Sequence, residues 1–166
     1  MADRTTDAFY ETRPNSGRDS FVIANTVTLA AGTLVQMEGG YANHWDETGS
    51  TDIFMGIAIA GDDSASTDGT WLGDTSGAPN PDPEVTIDTS GVTLMNMTLA
   101  GTVTQAKVGI TFVYSADSDP ASMTLNASGK TYAIGILYRF RTSTTGDVKL
   151  FTPQEYIAYN FESPGS

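Results

Sequence analysis

The chain has 166 residues, no cysteine, twenty acidic and eight basic side chains, and a formal net charge of −12. A domain of roughly this size buries about 70% of the surface its unfolded chain exposes, so a core that needs no external staple is expected. The composition excludes disulfides, thiolate metal sites and thiol nucleophiles, and the charge opposes adsorption to nucleic acid or to an anionic membrane surface.

The first twenty residues are polar and charged where a secretory signal needs an apolar stretch, so no signal peptide is expected. They are read as an extended N-terminal arm, residues 1–20. The arm holds Arg4, Arg13 and Arg18 together with Phe9 and Tyr10, a basic and aromatic set that contrasts with the acidic body. A solvated tail is the plain reading. The functional one is a segment that orders on a partner, for instance by adding a strand to an exposed sheet edge.

Residues 21–151 are read as the β-domain, because Thr, Val, Ile and Tyr dominate and tight-turn pairs such as Gly39-Gly40, Ser90-Gly91 and Gly146-Asp147 punctuate short apolar runs. The run Ile53 to Ala60 is apolar at successive positions, as expected of a strand buried on both faces. It is far shorter than the ~20 residues a membrane-spanning helix needs. Its apolar surface exceeds what one small core readily covers, so Ile53, Met55, Ile57 and Ile59 are expected at a subunit interface. Gly61 to Pro83, rich in Gly, Ser, Asp and Pro and interrupted by Trp71 and Leu72, is expected to be a long acidic loop. Between Tyr132 and Arg141 the apolar residues alternate, which predicts a strand. In residues 152–166, Thr152-Pro153-Gln154-Glu155 places a capping residue, a first-turn proline and a glutamate three residues after the cap, so a turn or two of helix through Tyr156 to Tyr159 is predicted.

One feature of this order is an echo. A-A-G-T-L-V-Q-M, residues 30–37, returns as K-V-G-I-T-F-V-Y at 107–114, and F-M-G-I-A-I at 54–59 returns as A-I-G-I-L-Y at 133–138. Two similar β units packed together are the expected meaning. The glycines then serve bends or close backbone approaches.

Candidate chemistry is sparse. His44 is the single histidine, and no nucleophile elbow accompanies it. N-A-S-G-K-T at 126–131 resembles the end of a phosphate-binding loop, but the first glycine of that signature would fall at Thr124, and a strand rather than a helix pattern follows, so a turn is expected. Asp62, Asp63, Asp68 and Asp74 fit no calcium-loop spacing and are read, like Asp117 and Asp119, as solvated loop charges. No catalytic residue, metal or cofactor is expected. Tyr41, His44 and Trp45 offer the alternative of a stacking platform in a carbohydrate-binding or host-attachment module.

The succession A-G-T-L-V, M-G-I-A-I, V-T-L-M-N-M-T-L-A-G-T-V, V-G-I-T-F-V-Y-S-A-D, I-G-I-L-Y and D-V-K-L-F, from about Ala24 to Phe151, resembles the capsid decoration, or cement, proteins of tailed bacteriophages. The resemblance implies an all-β fold, a compact barrel or sandwich of short strands. It also implies a non-enzymatic structural virion protein that sits as a homotrimer on the outer surface of a viral capsid. Its partner would be the major capsid protein, with no nucleic acid and no membrane involved. The arm residues Arg4, Phe9, Tyr10, Arg13 and Arg18 would then be capsid contacts. The arm, the 61–83 segment and the aromatic tail depart from the shorter members of that family.

Overall fold

A computed structural model describes residues 17–47, 51–61, 70–73 and 83–161. Over these residues the fold is all-β with one short C-terminal α-helix. Its strands are β1 (Arg18–Val22), β2 (Thr28–Ala30), β3 (Leu34–Glu38), β4 (Tyr41–His44), β5 (Ile53–Gly61), β6 (Thr70–Leu72), β7 (Glu84–Asp88), β8 (Thr93–Thr98), β9 (Phe112–Val113), β10 (Gly135–Phe140) and β11 (Thr145–Leu150). The helix α1 spans Pro153–Asn160. Strands pair antiparallel in a five-stranded sheet, β1-β7-β5-β3-β4, a four-stranded sheet, β8-β11-β10-β9, and a small β2-β6 ribbon.

The echo is an internal structural repeat. In chain order, β1, β3, β5 and β7 are arranged first, fourth, third, second, and so are β8, β9, β10 and β11. Both units also begin to close in the same way. Ile23, just past β1, makes a parallel bridge to Ala42 of β4, the hairpin partner of β3; Ala100, just past β8, makes a parallel bridge to Thr124, which pairs antiparallel with Tyr114 at the end of β9. The amide of Gly32 donates to the Ala58 carbonyl at 2.8 Å, two residues after Gly56, and the amide of Gly109 donates to the Leu137 carbonyl at 2.8 Å, two residues after Gly135.

The four echoed glycines have two distinct jobs. Gly32 and Gly109 sit at φ +88° and +79° with open space where a side chain would be, so backbone conformation alone requires them. At Gly56 a Cβ would collide with the Asp88 carbonyl oxygen of β7; at Gly135 it would come within 2.6 Å of the Lys149 carbonyl oxygen of β11. In each unit the third strand therefore lies too close to the fourth for any side chain at that register.

Two cores result, and β5 belongs to both. The larger holds Leu34, Trp45 and Phe54 from the first unit against Val113, Ile134, Leu137, Val148 and Leu150 from the second, closed by Tyr156 of α1. The smaller lies within the first unit and holds Ile23, Leu29, Val35, Ala42, Ala58, Val85 and Ile87. Ile53 and Ile57 pack against the larger core and Met55 against the smaller. The two-sided apolarity of this run thus has its cause inside one chain, and surplus apolar surface no longer argues for a subunit interface there. Ile59 is likewise partly buried.

Three other expectations shift. The arm ends sooner, because Arg18, Asp19 and Ser20 pair with Asp88, Ile87 and Thr86 as part of β1. The expected loop 61–83 contains β6, paired with β2, so Trp71 and Leu72 belong to a strand; Asp62, Asp63, Asp68 and Asp74 lie outside the described residues. The strand expected from Tyr132 begins only at Gly135 and shifts register between Leu137 and Arg139; Leu137, off the apolar alternation, is buried, and Tyr138, on it, is 53% exposed. The helix start is as predicted: Thr152 accepts from the Glu155 amide at 3.1 Å and Glu155 accepts from the Thr152 amide at 2.9 Å.

Candidate interaction surface

The side chains singled out in the sequence mostly resolve into packing. Trp45 is 1% exposed, donates its indole N–H to the Ser115 carbonyl at 2.8 Å, and meets Phe54 and Tyr156 edge to face at 5.5 and 5.8 Å. It offers no open face to a sugar, so Tyr41, His44 and Trp45 form no stacking platform. His44 lies within 3.0 Å of the Ser118 hydroxyl, a contact between the two units. Asp117 and Asp119 accept backbone amides two residues on, at 2.9 and 2.8 Å, and so hold their own turn. Residues 126–131 form a turn as expected, with Lys130 3.2 Å from Glu47, which also accepts the Thr131 amide at 2.8 Å. Glu47 itself sits at φ +60°.

The aromatic tail closes the larger core. Tyr159 stacks on Phe151 at 4.8 Å, Phe161 on Tyr132 at 5.4 Å, and the Asn160 amide both donates to and accepts from the backbone of Ala133. Among the arm residues, Arg18 lies 3.8 Å from Asp88, while Arg4, Phe9, Tyr10 and Arg13 fall outside the described residues.

Beneath β3 and β4 lies an acidic group. Gln36, 1% exposed, donates from Nε2 to both Asp46 and Asp52 at 3.3 Å. Burial first, then the charges of Glu38 and Asp46, hold the Asp52 carboxyl above its usual range. The folded chain therefore binds this proton more tightly than the unfolded chain, and the destabilisation appears as pH rises from the ordinary carboxylate range through the folded value. Asp52→Asn keeps an oxygen for Gln36, so the variant should melt above the parent at pH 7, with the gain shrinking as pH falls through the raised folded value and gone once pH is below the ordinary carboxylate value of about 4. Melting curves of both proteins from pH 3.5 to 8 check this; a lower melting temperature for the variant at pH 7 would contradict it.

The strongest asymmetry runs between the halves. Residues 1–88 carry fifteen acidic and three basic side chains, the whole of the net −12, whereas residues 89–166 carry five of each. Exposed apolar side chains follow the opposite course. Tyr41 stands alone in the described first unit, against Met95, Ile110, Tyr138, Ile157, Tyr159 and Phe161 in the second unit and its helix.

Part of this set lies around one buried carboxylate. Opposite Asp147 of β11 the edge strand β8 bulges, since Met97 pairs with Gly146 and Leu94 with Val148, leaving Met95 and Asn96 against Asp147 alone. Asn96 adopts φ +56°, its amide donates to Asp147 Oδ1 at 2.9 Å, and Met95 is left 72% exposed. Arg141 grips the same carboxylate through Nε and Nη2 at 2.9 and 2.8 Å, and Arg139 stands 3.8 Å away. The Arg141 hydrogen bonds, then the Asn96 amide, hold the Asp147 carboxyl below its usual range. Tyr138 adjoins Arg139 in sequence, and the turn carrying Ile110, 76% exposed, is hydrogen-bonded to Leu137 on both sides. Period reading missed this strip because it needs the two bulges; the charge division was legible by counting.

Among the described residues no group of three or more His, Cys, Asp or Glu side chains is placed to hold a metal, and no helix is long and apolar enough to cross a membrane. No family model, curated protein or solved structure matches the chain.

Proposed function

We propose that this chain is a decoration protein of a tailed-phage head, binding the outer surface of the capsid as a homotrimer and strengthening it. The observation that carries the reading is the polarity of the molecule. A protein that coats a particle needs a hydrated, charged side toward solvent and a less charged, apolar side toward its neighbours, and the two units divide those properties. The order of Gly-centred strands, resembling that of cement proteins, supports it. So does the interlocked core, since a protein that fastens its neighbours gains from two units packed together through a strand, β5, that is buried on both faces.

The arm supplies the second contact in this reading, through Arg4, Phe9, Tyr10 and Arg13. If each arm contributes about 1.4 kcal/mol, three arms acting together strengthen attachment by up to about a thousandfold before non-additivity is considered. Removing residues 1–16 leaves β1 and its pairing with β7 in place. The truncated protein should keep its circular dichroism spectrum and melting temperature, bind expanded shells more weakly, and respond less to salt, because the arginine attraction is screened over about 8–10 Å. Co-sedimentation with expanded shells assembled from a tailed-phage major capsid protein of the same source tests it. Failure of the full-length chain to sediment with those shells contradicts the function; equal binding by the truncated chain removes the arm from it.

A further inference from the structure

We infer that the strip formed by Met95, Ile110, Tyr138, Arg139 and Arg141 on the second unit is a docking surface for the first unit of another copy of this chain, around Tyr41 and Glu38. The contact is head-to-tail. It deepens the assembly proposed above and rests on that reading only for closure at three copies.

Charge selects this pairing over the symmetric ones. A contact between two first units would set one −12 half against another. A contact between two second-unit strips would bring two pairs of guanidinium groups together, each pair offset by the single Asp147 carboxylate and so still carrying a net positive charge. Only the head-to-tail arrangement places Arg139 and Arg141 against an acidic half, and a heterologous contact of this kind closes into a ring when its rotation permits.

The receiving surface has matching chemistry. Tyr41, 48% exposed, is paired in register with the exposed Glu38 across the β3–β4 hairpin, so an aromatic ring stands beside a carboxylate. Guanidinium groups bind carboxylates and stack on aromatic faces, and Met and Tyr are favoured at interface cores.

The test separates the two surfaces by mixing. Ile110→Glu disables the strip and Glu38→Lys with Tyr41→Ala disables the receiver; both alter exposed side chains outside the cores, and unchanged melting curves verify the folds. Sedimentation equilibrium from 1 to 100 μM in 50, 150 and 500 mM NaCl should show parent trimers that weaken with salt. Each variant alone should associate at least tenfold more weakly, while an equimolar mixture forms one-to-one dimers through the remaining intact pair of surfaces. A monomeric parent at every concentration would overturn the inference and leave shell binding, read separately by co-sedimentation, untouched. Strip variants that lose self-association while receiver variants keep it would instead show a symmetric contact. Loss of shell binding by Ile110→Glu with unchanged self-association would assign the strip to the shell. Either result would also overturn it.

Discussion

Valine at Gly56 or at Gly135 is expected to leave the chain unfolded at 25 °C, whereas alanine at Gly32 or Gly109 should cost only about 1–2 kcal/mol. The difference lies in what the side chain meets. At Gly56 and Gly135 the obstacle is the carbonyl of the adjacent strand, which cannot rotate away as a flexible side chain can, and Gly56 adds the strain of φ +135°. Relief requires moving β7 or β11 off its neighbour and opening the core beneath. That demand exceeds the roughly 1–3 kcal/mol of ordinary overpacking and approaches a total stability of about 5–15 kcal/mol. Circular dichroism and urea titration of the four variants check the pattern. Valine variants that fold with near-parent midpoints would show that the close approaches are not required.

Trp45→Ala should destabilise by about 3–5 kcal/mol, or roughly 10 °C in melting temperature for a protein of this size. Trp45 is the largest fully buried side chain among the described residues, it joins the first unit to α1 and to the second sheet, and its removal orphans the Ser115 carbonyl. Tyr156 beside it provides an internal comparison. Its hydroxyl is buried without a hydrogen-bond partner among the described residues, and burial, with Tyr132, Asp52 and Glu47 adding to it, pushes its pKa well above the usual tyrosine range. Tyr156→Phe therefore removes a desolvated group that bonds to nothing and should leave the melting temperature unchanged or higher. A large loss in the phenylalanine variant, or a small one in the alanine variant, would contradict this account of the core.

The sequence made the strand-rich class, the capped helix and the existence of a repeat legible, because each depends on local chemistry: β-branched runs, a Thr-x-x-Glu box and glycine at recurrent spacing. What it did not make legible depends on tertiary partners. The Ile53 to Ala60 run looks like material for an interface when one core is assumed, and only the arrangement of β5 between two cores explains both its faces. The alternation from Tyr132 to Arg141 marks a strand but not the fate of each residue: Leu137, off the alternation, is fully buried, while Tyr138, on it, lies exposed at the register shift. Trp45 in Tyr-Ala-Asn-His-Trp-Asp reads equally as an exposed stacking aromatic or as packing at a loop base, and only the second unit, some seventy residues further on, decides between them by burying it and accepting its N–H. Asp147 reads as the end of a turn, and its partners Arg139, Arg141 and the Asn96 amide come together only through the bulge of β8.

The central claim, that this protein fastens a capsid, is tested most directly by calorimetry of expanded, undecorated shells with and without the purified chain. Decoration should raise the temperature at which the shells come apart, saturating at a fixed ratio of chain to capsid subunit, with a smaller rise for the chain lacking residues 1–16. Shells that come apart at the same temperature at every ratio, whether or not the chain is bound to them, would contradict it.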